Sequence, residues 1–510
     1  MAIKKYWATK DNTITNAYET NLRTRATGSN MGAADILEVF KIYGQKEAGS
    51  GAAAHEKTRI LIQFPITGSS TYAEGTNSIK ADRAAGKIPA SGSVNFYLKL
   101  YNAPHSQTTP RDFKIVASLL EKGFDEGRGL DMDNYTDYNY GNKGSDWVSA
   151  SLGVKWTTQG GDWDDDDSST ATAQFDTGVE NLEMNITPLV EKCIAGTKNN
   201  YGLILRLGAA QEANSVERSY YTKKFFGRTS EYFLRRPVIE ARWNSATTDD
   251  RGNFYYSSSL ATISDNLNTL YFYNYVRGKL RTAPIDGDQS LLVSLYSGSS
   301  GSPSGNKFLL SKGGNVASSG DINATASEVS TGVYAVSLSV TGSKSSISTI
   351  YDVWSVWEGS TKVADVFTGS IKPRAADKSG WSKEPNYVTT IPNLKKVYSR
   401  ADTTRLRLYT REKDWCPTIY TKASNTIERV MIHSASYRIT RDIDGLEVVP
   451  FGTGSDLHTL MSHDVSGNYC DIDFRPMAAG YSYTIDFSYY DQAVDSWVLQ
   501  PHKFKFRVDK

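Results

Sequence analysis

The residues best placed to do chemistry lie in the run GGDWDDDD, Gly160 to Asp167, where five acids fall within six positions. Hard carboxylate oxygens suit Ca²⁺, and in an extended loop Asp162, Asp164 and Asp166 share one side, which makes them the candidate ligands. An EF-hand loop needs alternating ligands, a central glycine and a distal glutamate, and this run has none of them. Consecutive carboxylates do not all converge on one ion, so a solvated loop is the competing expectation. Trp147, Trp156 and Trp163 fall in the same loop-rich region. Their apolar faces are candidates for stacking on sugar rings, against the plainer expectation that they bury as loop anchors.

A second concentration of chemistry is YYTKKFFGRTSEYFLRRPVIEARW, Tyr220 to Trp243. Lys223, Lys224, Arg228, Arg235 and Arg236 are interleaved there with Tyr220, Tyr221, Phe225, Phe226, Tyr232 and Phe233. Aromatics among cations stack bases and pair phosphates in single-strand binding surfaces. Here 57 Lys+Arg meet 56 Asp+Glu, so no global field draws the chain toward nucleic acid or an anionic membrane. Pro237 holds Arg236 extended, after which Ile239, Ala241 and Trp243 alternate inward. The five cations are then expected to lay their stems over apolar surface and pair with neighbouring acids or with another subunit.

The remaining motifs argue against catalysis. His458 and His463 sit five apart in DLHTLMSHD, a spacing that shares neither a helix face nor a strand face, and no HExxH occurs, so an ordinary polar turn is expected over a metal role. The string GSPSG carries Pro303 where a nucleophile elbow needs serine, and neither a Walker A motif nor GxGxxG is present. Asp125 and Glu126 would serve glycoside hydrolysis only at the right separation from a partner acid. Cys193, Cys416 and Cys470 show no CxxC spacing, so reduced, buried thiols are expected rather than disulfides or zinc. The expectation is a non-enzymatic protein with no cofactor, Ca²⁺ at the acidic loop being the one candidate.

These residues need positioning elements, and the composition names them. A chain of 510 residues implies about three domains at ~150 residues each. The 31 Tyr and 41 Gly suit half-exposed strands and turns, so the chain reads as mostly β. Alternation places Val94, Phe96, Leu98 and Leu100 on one face of VNFYLKLY, Tyr483, Ile485, Phe487 and Tyr489 on one face of YSYTIDFSYY, and Phe504, Phe506 and Val508 on one face of HKFKFRV. One short helix is predicted in ENLEMNITPLVEKCIAG, with Leu189, Val190, Cys193 and Ile194 at helical spacing behind Thr187 and Pro188 as cap and first turn. NSATTDDRGN (244–253) and KPRAADKSGWSKEP (372–385) read as polar linkers. They divide the chain into 1–245, 253–373 and 385–510, with the Ser/Gly tract from Ser297 to Gly320 as exposed loops of the middle part. The N-terminal residues carry no apolar segment of the signal-peptide kind and no run of about 18 apolar residues occurs, so a soluble product made in the cytosol is expected.

Seven segments of the first part, RILIQFPI, NFYLKLYNA, FDEGRGLD, WTTQGGDW, MNITPLVEKCIAG, NNYGLILRL and the closing YYTKKFFGRTSEYFLRRPVIEARW, resemble in order and spacing the DNRLRE-type, carbohydrate-binding-module-like β-sandwich. The match departs from that pattern at Gly227 to Glu231 and at Asn185 to Thr187. It implies a jelly-roll-like sandwich whose last hairpin is the basic-aromatic stretch and whose FDEGRG is a turn. LRLYTREKDWCPTIYTKA, the stretch from Ala435 to Phe474 and AAGYSYTIDFSYYD, with IYDVWSVWEGSTKVADVFTGSI before them, resemble repeated domains of structural proteins from T4-like tailed phages of the cyanophage and pelagiphage type. That resemblance implies two immunoglobulin-like sandwiches and a virion component. Expected partners are copies of itself and other virion proteins at a neck, collar or head surface. The alternative is a virion-borne adhesin whose first domain grips host-surface glycan.

Overall fold

The computed structural model describes residues 2–44, 54–68, 77–105, 110–131, 144–213, 220–285, 287–298, 306–313, 321–342, 347–374, 386–413, 419 and 429–510. Cys416, GSPSG and most of 372–385 lie outside them. The chain is mostly β, as the alternation predicts, and among the described residues no helix is long and apolar enough to cross a membrane.

The first part is a two-sheet antiparallel sandwich. One sheet runs Ile3–Trp7, Val238–Arg242, Asn95–Leu100, Leu182–Asn185; the other runs Tyr220–Phe226, Ile36–Gly44, Ala54–Gln63, Leu203–Leu207, Phe113–Leu119, Thr170–Phe175, with Lys10–Thr15 also on Ala54–Gln63. The chain passes repeatedly from one sheet to the other, which gives the jelly-roll-like character. Phe96, Leu98 and Leu100 point into the shared core with Ile60, Ile62, Leu205 and Ile239, as period two requires. Leu61 and Ile204, one residue out of phase, point to the opposite face of the larger sheet, where a second cluster covers them. Burial on both faces is why RILIQ reads as an almost unbroken apolar run.

The predicted helix spans Thr187–Ala195, with Leu189, Val190 and Cys193 buried and Gly196 closing it at φ +81°. Thr187 is not its cap: Ile186 takes that position, and the Thr187 hydroxyl accepts the Phe96 N–H at 2.8 Å, tying helix to sheet. Two further helices, Ile79–Ala84 and Ala209–Glu212, were not expected; at six and four residues they are too short for a helical period to register.

In the middle part, Asn268–Tyr273, Val333–Val340 and Leu310–Ser311 form one sheet, and Ala324–Thr325, Gln289–Tyr296, Ile350–Glu358 and Thr361–Ile371 the other. Both contribute to one core around Trp354, Leu270, Val293 and Leu338. Part of the Ser/Gly tract does not behave as exposed loop: Leu310 is buried in that core and pairs with Val340.

The last part repeats the plan. Val397–Ser399, Ser496–Asp509, Tyr481–Asp491, Ala435–Arg441 and Glu447–Val449 form one sheet, Thr403–Arg407, Gly467–Asp473 and Ser462–Asp464 the other. Val397–Ser399 runs parallel to the last strand, Val397 opposite Arg507, and the Tyr483 hydroxyl donates to the Ala478 carbonyl at 2.8 Å. That back-bond at the start of the penultimate strand is the tyrosine corner of immunoglobulin-like sandwiches. The middle part makes a comparable parallel bridge between Tyr255 and Arg374.

Tyr483→Phe keeps the ring in the core and removes only this bond. It should lower the urea midpoint of the C-terminal sandwich by an amount equivalent to about 1 kcal/mol, with the slope unchanged.

Candidate functional site

The acidic loop does not assemble an ion site. Asp162 accepts the N–H groups of Thr157 and Thr158, each at 2.8 Å, and the Lys122 ammonium at 2.7 Å. Asp164 pairs with Lys198 at 2.8 Å, which holds its carboxyl down to about 2. Asp166 caps the turn Asp167–Ser169 through the Ser168 N–H and faces Lys192 at 3.7 Å. Three acids with three separate lysines are folded back on the domain, and the structure does not bring them together.

The tryptophans form the second cluster of the first domain. Trp147 and Trp156 are buried against Ile14, Leu61, Phe124 and Ile204, and the Trp156 indole N–H donates to the Asp146 carbonyl at 2.9 Å. Trp163 is half-buried, with the Arg59 and Arg206 guanidiniums 4.7 and 4.8 Å from its ring centroid. Glu212 holds Arg59 with two bonds, and Arg59 also donates to the Gly160 carbonyl. The faces considered for sugar stacking are thus covered by aliphatic side chains or occupied by the protein's own cations. Sequence alone does not show which loop face packs down.

Of the five cations, Lys223 is fully buried, its ammonium bonded to Asn102 Oδ1 at 2.6 Å and the Gly178 carbonyl at 2.8 Å, and burial pulls it down to about 8. It therefore offers no subunit contact. Lys224 faces Glu38 at 3.7 Å, and Arg228 holds both Glu126 oxygens at 2.8 Å. Glu126 belongs to the FDEGRG turn, whose Gly129 has no room for a side chain: a Cβ there would meet the Asn30 carbonyl at 1.7 Å. The Arg228 N–H also bonds Asp11, a carboxyl that burial pushes up to about 7. Arg236 donates to the Ser230 carbonyl at 2.8 Å, while Arg235 reaches across to Asp444 of the last domain at 3.3 Å. Lys224, Arg228 and Arg235 pair with acids, the last with one contributed by the C-terminal part of the chain, whereas Lys223 and Arg236 bond uncharged oxygens instead.

That contact opens the most constrained region of the molecule. Val238–Arg242 is buried at every position. Ile239 and Ala241 enter the first core as predicted, but Glu240 and Arg242 on the other face do not meet solvent. Glu240 is bound by Lys5 at 3.0 Å and Arg242 at 2.6 Å, with Lys99 at 4.0 Å, and Arg242 reaches Glu183 at 2.6 Å. Asn95 on the same sheet bonds Asp456, and Ile3 and Leu234 join the core of the last domain. His458 in that domain is pushed down to about 4 by burial, with Arg242 adding to the effect, so it sits there neutral.

The stretch 244–253 follows this strand and is not a free tether. The Asp249 N–H donates to the His463 carbonyl at 3.1 Å, the His463 N–H donates to the Thr247 carbonyl at 3.0 Å, and Thr248 bridges His463 in parallel register. Asp250–Gly252 forms a turn in which Arg251 pairs with Asp249 at 3.2 Å and with the fully buried Asp352 of the middle domain. Asp250 Oδ2 accepts the Thr269 N–H of the middle domain at 2.7 Å, and Oδ1 lies 3.1 Å from Nε2 of His463 in the last domain. This segment thus bonds both the middle and the last parts of the chain. His433 stands beside His463, ring centroids 5.2 Å apart, with its Nε2 2.7 Å from the Asn253 amide. Sequence reading passed over Asp250 and His433 because 183 residues separate them, and no spacing rule spans that distance.

No family model and no curated protein matches the chain. Among solved structures, a marsupial T cell receptor aligns over 50% of this chain and 70% of its own at 9% identity and TM-score 0.15. The FN1–FN3 domains of chicken CNTN1 align over 58% and 84% at 8% identity and TM-score 0.15. The native conformation of Escherichia coli α2-macroglobulin aligns over 98% of this chain and 28% of its own at 8% and 0.15. The fold assignment above rests on strand order and register instead.

Two measurements probe these contacts. Arg251→Ala strands two buried acids and should cost about 3–5 kcal/mol in chemical denaturation, with Asp352→Asn in the same chain recovering part of it. Asp11 has a folded pKa of about 7, above its ordinary value, so the native state holds the extra proton and stability falls as pH rises from about 4 to 7. Asp11→Asn removes that loss: it should stabilise by about 1–3 kcal/mol at pH 8 and give no gain at pH 4, read from melting curves across pH.

Proposed function

We propose that the chain is a non-enzymatic structural protein of a tailed-phage particle, a neck, collar or head-surface component that assembles with copies of itself and with other virion proteins. The sequence resemblance of its second half to phage structural domains points there. The observation that best supports the reading is the locked junction. Domains joined by free tethers move independently by default. Here the segment after Trp243 is bonded to the middle domain through Asp352 and Thr269 and to the last domain through His463. A chain stiffened in this way suits a spacer that must hold other parts at fixed separation. The near-zero net charge and abundance of Tyr suit protein–protein contact rather than nucleic-acid binding. The adhesin reading gains nothing from Trp147 and Trp156, which are buried.

Mass spectrometry of purified, mildly dissociated particles should recover the protein at stoichiometric abundance together with its neighbours. Its presence in lysate and absence from particles would refute the proposal.

A further inference from the structure

We propose that Asp250, His433 and His463 form a binding site for a divalent transition-metal ion of the zinc class, built across the junction of the linker and the last domain. One donor atom from each residue lies within 4.8 Å of those of the other two, and this is the group of three that the described residues bring together. The inference stands on these side chains and does not depend on the particle assignment.

Three features favour a metal over a chance cluster. The first is donor chemistry. Two imidazoles and one carboxylate suit zinc, cobalt or nickel, whereas Ca²⁺ and Mg²⁺ prefer sites made wholly of oxygen. The second is support. Asp250 Oδ2 is anchored by the Thr269 N–H at 2.7 Å, and the His463 backbone is held at both its N–H and its carbonyl by Thr247 and Asp249. These bonds fix the Asp250 carboxylate and the His463 backbone before an ion arrives. The third is access. His463 is fully buried while His433 is exposed, so an ion can reach the group from the His433 side.

The geometry also defines what binding would change. A tetrahedral ion with bonds of about 2.0–2.1 Å places its donors about 3.3 Å apart. Asp250 Oδ1 and His463 Nε2 already stand at 3.1 Å. The His433 donor lies within 4.8 Å of both, so His433 is the ligand left to move inward. The ion would sit between Asp250 Oδ1 and His463 Nε2 in place of their direct contact and draw the exposed imidazole onto the linker turn.

The test uses the purified full-length chain stripped with chelator and titrated with Co²⁺. One equivalent should bind, developing the visible bands of low-coordinate cobalt, which Zn²⁺ should discharge and Ca²⁺ should not. Zn²⁺ should also raise the melting temperature. His433→Ala changes an exposed side chain, and Asp250→Asn keeps an acceptor for the Thr269 N–H; each variant is compared with its own chelator-stripped melting temperature, and Zn²⁺ should raise it less than it raises the parent's. Both should weaken metal binding by about tenfold or more. Absence of stoichiometric binding, discharge by Ca²⁺ as effective as by Zn²⁺, or parental affinity in either variant would overturn the proposal.

Discussion

The structure depends on charge being buried between domains and satisfied there. Glu240 has no exposed surface, and a lone carboxylate in such a place would cost several kcal/mol. Lys5, Arg242 and Lys99 surround it, and together they hold its carboxyl far below the usual carboxylate range despite the opposing effect of burial. This network lies on the outer face of the smaller sheet of the first domain, the face turned toward Asp456 and His458 of the last. Such pairs add little net stability over an apolar interface, but they are unforgiving of misplacement. Their geometry fixes how the first and last domains sit on one another.

The linker extends the same logic. Asp249, Asp250 and Arg251 would be free to solvate in a tether, yet here they are spent on Asp352, Thr269 and His463. Because the partners belong to two other domains, bending the chain at this point means exposing or orphaning several charges at once. Stiffness at a junction of three sandwiches is a mechanical property, which is why an assembly role is the reading proposed for a molecule whose acids and tryptophans have mostly been turned inward.

Much of the fold was legible. The faces assigned to VNFYLKLY and YSYTIDFSYY are the ones that enter the apolar cores, because a pleated strand sends alternate side chains to opposite sides whatever its neighbours are, although Thr484, Asp486 and Ser488 on the other face of the second are buried too. The helix around Leu189 was legible for the same reason at a different period. The candidate sites were less so. Asp162, Asp164 and Asp166 were correctly seen as a concentration of charge, but what neutralises them comes from Lys122, Lys198 and Lys192, whose approach depends on how the loop folds over the helix. Trp147 and Trp156 were seen as loop aromatics, and only the sheet face formed by Leu61 and Ile204 decides that they lie down on it.

What the sequence determined by itself is therefore local: strand phase and the position of the helix, properties set by neighbours along the chain, whereas the closing hairpin that the resemblance implied does not form, since Tyr220–Phe226 and Val238–Arg242 lie in different sheets. What tertiary structure alone decided is which polar residues leave water. In VIEAR the alternation assigned Ile239 and Ala241 to the core but left Glu240 and Arg242 looking solvent-facing, and a second domain covers them. The DD of TTDDRGN looked like tether, and His463, 213 residues on, makes it a joint. Coulomb attraction and desolvation act through space, so the partner that makes a charge buriable can lie anywhere along the chain.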